Sequence, residues 1–234
     1  MKIIWPDAIT AVSAESEVAT YEDGNVLNSW PSAVWKAAAT TEQDFTITVA
    51  EPDAVHIGYT NFGGTLAWTS YNGSSGVIGT GTLTASGRSG AYHYWLEPTV
   101  TTGIASIKFV FPAGSVAVTV GIIRAGTMTE FNNPEYGMSD ALVDYSISAE
   151  LNNGGRYTQN RTIGTAISGS VLTTRTGNID PLIALARDIR AAGFSVMTID
   201  SPAEILFVHF DGMPDAARDY PGYNRVSFAL VEAI

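Results

Sequence analysis

The chain has 234 residues, 12 Lys+Arg against 23 Asp+Glu, and no cysteine. A net charge of −11 leaves no basic footprint for a phosphate backbone and argues against a nucleic-acid partner, while the absence of cysteine excludes disulfides and thiolate zinc sites. Hydrophobic residues make up 45% and charged residues only 15%, against roughly 25% charged in an average domain, which describes a folded chain with a polar, weakly charged surface suited to packing among other subunits.

The opening Met1-Lys2-Ile3-Ile4-Trp5-Pro6 has no apolar core of signal-peptide length. No window of the chain approaches the ~20 apolar residues of a membrane span, so no membrane insertion is expected. Trp5-Pro6-Asp7 reads as a cap on an N-terminal strand, and residues 9–17, small and polar with scattered valines, read as a loosely anchored leader. Trp30 and Trp35 then flank Pro31, as where a loop is pinned to a sandwich by aromatic area. Phe45, Ile47 and Val49 alternate as a strand, and Glu51-Pro52-Asp53 turns it. Further strand-like segments follow at 54–60, 66–71, 77–83, 92–96, 107–111 and 116–123, separated by turn sequences such as Asn72-Gly73-Ser74-Ser75-Gly76. Many short strands divided by Gly-rich turns predict a mainly β chain whose residues 1–124 form a β-sandwich.

Past Val120 and Ile122 the chain reaches Arg124, and Gly126, Asn132-Asn133-Pro134 and Gly137 predict a structured loop over 127–139. Residues 144–149 and 156–163, around Leu151-Asn152-Asn153-Gly154-Gly155, read as a hairpin. Ile163, Thr165, Ile167 and Val171 continue as a strand. Asp180-Pro181 is a helix start and Gly193 a stop, and Leu182, Leu185, Ala186 and Ile189 form one apolar stripe, so a helix is expected over 182–192. Strands near 196–199, 205–210 and 226–230 complete a β-rich α+β domain over 125–234.

Two resemblances follow from these segments. Paired early tryptophans, the central Asn61-Phe62-Gly63 and the late strand Gly103-Ile104-Ala105-Ser106-Ile107-Lys108-Phe109-Val110-Phe111 resemble a galactose-binding-type jelly roll over about residues 20–124. Gly121 to Ile123, Gly126, Tyr136-Gly137, Asp144-Tyr145-Ser146, Gly154-Gly155 and Arg161, with the helix and strands after them, resemble a family of tailed-bacteriophage virion proteins of the tail tip or baseplate. That family places a Tyr-Gly-Phe-type aromatic strand where this chain has Phe207-Val208-His209-Phe210-Asp211-Gly212.

No catalytic, cofactor or metal set stands out. His56, His93 and His209 sit apart in strand-like segments, without metal-ligand spacing. Glu204, Asp211, Asp215 and Asp219 read as an acidic, solvated loop region without EF-hand spacing. Glu51 with Asp53, or Glu130 with Glu135, would be the acid pairs of a glycosidase, but a carboxylate separation is not a property of sequence. The glycine clusters 63–64, 73–76 and 79–81 lack the Lys-Ser/Thr of a phosphate loop, and there is no Gly-x-Ser-x-Gly elbow. Among Trp30, Trp35, Trp68, Tyr71, Tyr92, Tyr94 and Trp95, the pair Trp68 and Tyr71 is expected to be the most exposed, with Asn61, Asn72 or Arg88 supplying polar groups to a sugar.

The phage resemblance implies a non-enzymatic structural component of a virion tail, made in the bacterial host cytoplasm, without cofactors. It would assemble as a homo-oligomer with other tail or baseplate proteins through β-domain faces and the 127–139 loop. The alternative is a carbohydrate-binding module that recognises host-surface glycans. A polysaccharide-degrading enzyme ranks last.

Overall fold

A computed structural model describes residues 1–88, 91–132, 139–144, 146–150, 156–159, 163–174, 180–198, 204–220 and 223–233. They fall into two compact units, Met1–Phe131 with Gly193–Phe207, and Asn132–Ala192 with Val208–Ile234. The described residues are mainly β with one α-helix, as the alternation patterns indicate.

The first unit runs β1 (Lys2–Asp7), β2 (Ile9–Ala14), a 3₁₀ turn (Asp23–Leu27), β3 (Trp35–Lys36), β4 (Gln43–Val49), β5 (Ala54–Thr60) and β6 (Leu66–Tyr71). It continues with β7 (Val77–Leu83), β8 (Ser86–Arg88), β9 (Ala91–Leu96), β10 (Ser106–Phe111), β11 (Thr119–Val120) and β12 (Ile122–Glu130). One sheet has the order β2-β4-β10-β6-β7. Facing it is a sheet in which β1, β12, β5, β9 and β8 are successive neighbours. Phe45, Ile47, Ile107 and Phe109 from the first sheet, and Val55, Ile57, Tyr94 and Ile123 from the second, meet in one core. These are the alternate positions of each strand, so their period of two is what makes the sandwich. Trp35 is fully buried there, edge-on to Phe45 at 5.0 Å, and its indole N–H donates to the Ser16 carbonyl at 3.1 Å.

Three expectations change in this unit. Residues 9–14 are not a loose leader: they form β2, paired antiparallel with β4 from Ile9↔Val49 to Ala14↔Phe45. An edge strand buries only one face, so its polar alternate positions read as a tail. The strand expected to end near Arg124 begins as the short β11 and then runs as β12 to Glu130, because β1 and β5 hydrogen-bond it on both edges. The contact loop expected at 127–139 is therefore strand as far as Glu130, and residues 133–138 lie outside the described set. Turn chemistry is satisfied elsewhere: Asn72 Oδ1 accepts from the N–H groups of Ser74 and Gly76 in the β6–β7 hairpin.

The second unit contains β13 (Ser139–Asp144), β14 (Ile147–Glu150), β15 (Arg156–Gln159), β16 (Ile163–Thr174) and α1 (Pro181–Ile189). After β17 (Phe194–Met197), which lies in the first unit beside β1, come β18 (Ile205–Phe210), β19 (Asp215–Tyr220) and β20 (Tyr223–Glu232). β16 pairs with β13 on one edge and β20 on the other. The acidic stretch expected as a solvated loop includes β19, which pairs with β20 from Asp215↔Ser227 to Tyr220↔Tyr223. β14 and β15 form the expected hairpin, whose turn residues 151–155 lie outside the described set.

Helix α1 buries Leu182, Ala186 and Ile189 of the predicted stripe, whose fourth member Leu185 is half-buried. It stops earlier than expected, at Ile189. Arg190 takes a left-handed φ of 55°, its N–H donating to the Ala186 carbonyl, and the Ala192 N–H bonds the Ile189 carbonyl, which tightens the last turn before Gly193 is reached. At the other end Asp180 is a buried N-cap: Oδ1 accepts from the Leu182 N–H at 3.0 Å, while Oδ2 accepts from the Thr173 hydroxyl and from Asn224 Nδ2. Replacing Asp180 by Ala removes the cap, takes the side-chain acceptor from Asn224 Nδ2 and leaves the Thr173 hydroxyl only its long 3.5 Å bond to the Asn224 carbonyl. The expected loss is about 2–4 kcal/mol, beyond the ~1 kcal/mol of a cap alone, and urea unfolding of Asp180→Ala beside wild type measures it.

Candidate functional site

The sheet that contains β5, β9 and β12 has a second face, opposite the sandwich core. Alternation puts Arg124 of β12 and its cross-strand partner His56 of β5 on that face. His93 of β9 and Ser195 of β17 also reach it. All four are buried.

Arg124 is the hub. Its two terminal nitrogens donate to four carbonyls: Nη1 to Val26 at 3.1 Å and Ile123 at 2.8 Å, Nη2 to Leu27 at 3.1 Å and Asn28 at 2.7 Å. The Asp7 carboxylate stands 3.6 Å away, and the guanidinium carbon lies 5.2 Å from the centre of the Phe207 ring. Burial lowers the Arg124 pKa and Asp7 raises it again; burial likewise raises the Asp7 pKa, opposed by Arg124 and by backbone N–H groups. Three of the four carbonyls belong to the end of the 3₁₀ turn, where a helix leaves its acceptors without partners. The arginine thus fixes the exit of that turn, and with it the loop 28–34.

The loop is held at further points. The Ala33 N–H bonds the Trp30 carbonyl at 3.0 Å, closing a β-turn with Pro31 in its second position, and Asn25 Nδ2 donates to the Val34 carbonyl. Pro31 is buried against Gly121, the link between β11 and β12, where any Cβ would meet the Pro31 carbonyl and come 2.8 Å from Cβ of Tyr59. Beside it, Asn61 clamps the approach to β11, donating to the Ala117 carbonyl and accepting from the Thr119 N–H, both at 2.9 Å. What this anchored loop displays is Trp30, 69% exposed, flanked by the exposed Asn28, Ser29 and Ser32.

Behind Arg124 lies a buried line of polar groups. His56 Nδ1 is 2.7 Å from Ser195 Oγ, and His56 Nε2 is 3.1 Å from His93 Nδ1. The two imidazoles stack at 5.4 Å, and Tyr59 packs edge-on to His93 at 4.8 Å. A side chain at residue 58 would place Cβ 2.7 Å from His56 Nε2, so Gly58 leaves the space in which the rings meet. β17 and β5 are separated by β1 and β12, roughly 14 Å in a flat sheet, so the sheet curls to bring Ser195 to His56. Each neutral imidazole offers one donor and one acceptor, which fits the line with no charge present. Burial pushes the His93 pKa down to about 4, and burial first, then His93 and Arg124, hold His56 well below the ordinary value.

The candidate residues for sugar contact are dispersed. Trp68 is half-buried against the core, its indole lying across Gly81 of β7, and Tyr71 is also half-buried. Trp35 and Tyr94 are core residues, the Tyr94 hydroxyl bonding the Phe62 and Gly64 carbonyls. Trp95 donates to Glu97. Asn61 and Asn72 are occupied by loop backbone, and of Arg88 only the backbone is described. Glu51 accepts from the Gly103 N–H and Asp53 from the Met128 N–H, so both brace backbone; Glu135 is outside the described set. Among the described residues no group of three or more His, Cys, Asp or Glu is placed to hold a metal ion, and no helix is long and apolar enough to cross a membrane. The contact between His56 and His93, 37 residues apart, and the isolation of Trp30 on an anchored loop were not visible in the sequence. Only the Trp-Pro pair hinted at the second.

Two expectations follow. Removing Arg124 as Arg124→Ala leaves the carbonyls of the 3₁₀ turn without donors and is expected to cost about 3–5 kcal/mol, with protease cleavage in loop 28–34 appearing before global unfolding. For the histidines the sign is set by depressed folded pKa values. The unfolded chain takes up protons near pH 6.5 while the folded chain does not, so this contribution is complete above pH 6.5 and is lost as pH falls toward 4. His93 alone is worth up to about 3 kcal/mol over that window, and the midpoint of urea unfolding between pH 7 and 4.5 should fall less steeply in His93→Gln than in wild type.

No family model and no curated protein matches the sequence, and the likeness of residues 121–231 to virion proteins stands as a sequence expectation. Solved structures similar in fold include a Streptococcus pneumoniae fucose-binding module (TM-score 0.42, 9% identity, 51% of this chain and 96% of that one). The lectin domain of lectinolysin, complexed with Lewis B antigen, matches with TM-score 0.40 and 8% identity, over 50% of this chain and 92% of that one. Reduced XRCC1, bound to the DNA polymerase beta catalytic domain, matches with TM-score 0.41 and 12% identity, over 52% of this chain and 99% of that one. These are partial likenesses of architecture, and no residue's role is taken from them.

Proposed function

We infer that the chain is a non-catalytic recognition module whose β-sandwich unit presents loop 28–34 to a glycan, with Trp30 as the stacking platform. One observation carries this reading: the most exposed tryptophan sits on a loop whose backbone is tied to a buried arginine. An exposed indole is ordinarily a liability, since its apolar area gains nothing from water. Here the loop is ordered in advance, so little conformational entropy remains to be lost when a ligand docks. The apolar face of a sugar ring covers an indole, while the hydroxyls of Ser29 and Ser32 and the Asn28 amide are available to its polar edge. The Ser195–His56–His93 line belongs to the support of this loop: it has no solvent-exposed member and acts on stability.

A second reading, assembly into a multi-copy virion tail structure, is favoured by β13. Among the described residues that strand pairs on one edge only, with β16, and it carries Leu142 72% exposed. Exposed edge strands with apolar side chains are sites for further strand pairing. The two readings are compatible, since a virion subunit can carry a glycan-binding loop.

The test is a glycan array probed with the whole chain, followed by titration of the best saccharide. Trp30→Ala is expected to weaken binding about 30-fold, the scale of a central aromatic anchor, with thermal stability unchanged because the ring is exposed. An empty array, or a Trp30→Ala variant that binds as wild type does, removes the glycan reading. Light scattering on the same sample reads the assembly alternative, which a strict monomer at high concentration would contradict.

A further inference from the structure

We propose that the second unit carries a separate site for a carboxylate-bearing sugar in the cleft at the C-terminal end of α1. The cleft, about 560 Å³ in volume, is lined by Arg187, Arg190, Ala191, Phe210, Gly212 and Met213. It rests on the reading above for the sugar, while its preference for a carboxylate rests on the arginines.

Arg187 stands in the last turn of α1 and Arg190 is its C-cap, and both line the cleft. Both are exposed, and neither has an ion-pair partner among the described residues. In a chain with 23 acidic and 12 basic residues, two arginines in a cleft whose lining residues include no acid run against the average. The neighbouring acids in sequence, Asp188 and Asp211, are not among the lining residues. Arg190 also holds φ 55° and ψ −119°, a conformation that side chains other than glycine rarely adopt. Such strain concentrates at ligand clamps.

The rest of the lining is apolar. Met213 is 56% exposed, and the largely buried Phe210 also lines the cleft. Paired guanidinium forks take a carboxylate through parallel N–H···O bonds, and the apolar lining covers the C–H face of the ring that bears it. The carbonyl end of α1 carries partial negative charge and offsets part of the positive field. That balance suits a single negative charge better than a phosphate dianion. The outer face of an open cleft stays wet, which a ring with free hydroxyls tolerates and a purely apolar acid does not.

Calorimetric titration of the whole chain with methyl glucuronide, its methyl ester, methyl glucoside and benzoate tests this. The free uronate is expected to bind at least tenfold tighter than the ester, the glucoside or benzoate. Arg187→Gln combined with Arg190→Gln should abolish that preference without lowering the melting temperature, as both side chains are exposed, and Trp30→Ala should leave it intact. Equal binding of uronate and ester, a preference that survives the double substitution, or no uronate binding overturns the site. Benzoate binding as tightly as the uronate overturns the sugar assignment. Saccharides held through Trp30 with no uronate at the cleft would sink this proposal alone, while uronate binding beside an empty array would leave it standing and remove the Trp30 reading.

Discussion

A buried guanidinium is the constraint on which the first unit turns. Taking a charge out of water costs several kcal/mol even after relaxation, and the cost is offset only where hydrogen bonds of good geometry replace the lost hydration. Arg124 meets that condition with four backbone carbonyls, three of them at the end of the 3₁₀ turn, and with Asp7 and Phe207 around it. The interaction works in both directions. The arginine needs those carbonyls to remain charged in the interior, and the turn needs a donor because its own last acceptors have none. Neither side is stable without the other, which is how one side chain in the middle of a strand determines the path of a loop almost a hundred residues earlier.

The histidine line follows from the same geometry. Arg124 and His56 are directly opposed across β12 and β5, so a positive charge at the first discourages one at the second. Neutral imidazoles can join end to end, each giving one hydrogen and receiving one, and the Ser195 hydroxyl completes the line. The arrangement is polar yet uncharged, an economical filling for the concave side of a curled sheet. It also makes that side sensitive to acid, because a proton added to either ring would meet the other ring and the guanidinium in a buried region.

How far the sequence discloses this can be read from particular residues. Phe45, Ile47 and Val49 alternate with polar neighbours and are core, and Asp180-Pro181 opens the helix where expected. These features are local: the period of a strand and the chemistry of a cap are written within a few residues. Residues 9–14 read as a loose leader because an edge strand shows only one apolar face, and Arg190 rather than Gly193 stops the helix because bonds in the last turn outweigh the preference for glycine. Trp68 and Tyr71 were expected in the open because a glycine-rich turn follows them. The glycines of β7 instead give the Trp68 indole a surface to lie on. Trp30 and Trp35 are alike in sequence and opposite in fate, since the turn at Pro31 sends one outward and the next strand carries the other into the core.

By itself, then, the amino-acid order determined the mainly β class, most strand positions, the single helix, and the absence of motifs for nucleotide, thiolate-metal or nucleophilic chemistry, because each depends on spacing within a short window. Only the tertiary structure decided which buried polar groups meet, which aromatic is displayed and which arginines line a cleft. Those outcomes depend on strand order and sheet curl, which bring together Val26 and Arg124, His56 and Ser195, or Arg187 and Phe210. Contacts between distant positions are selected by the packing of the whole chain, and no local pattern records them.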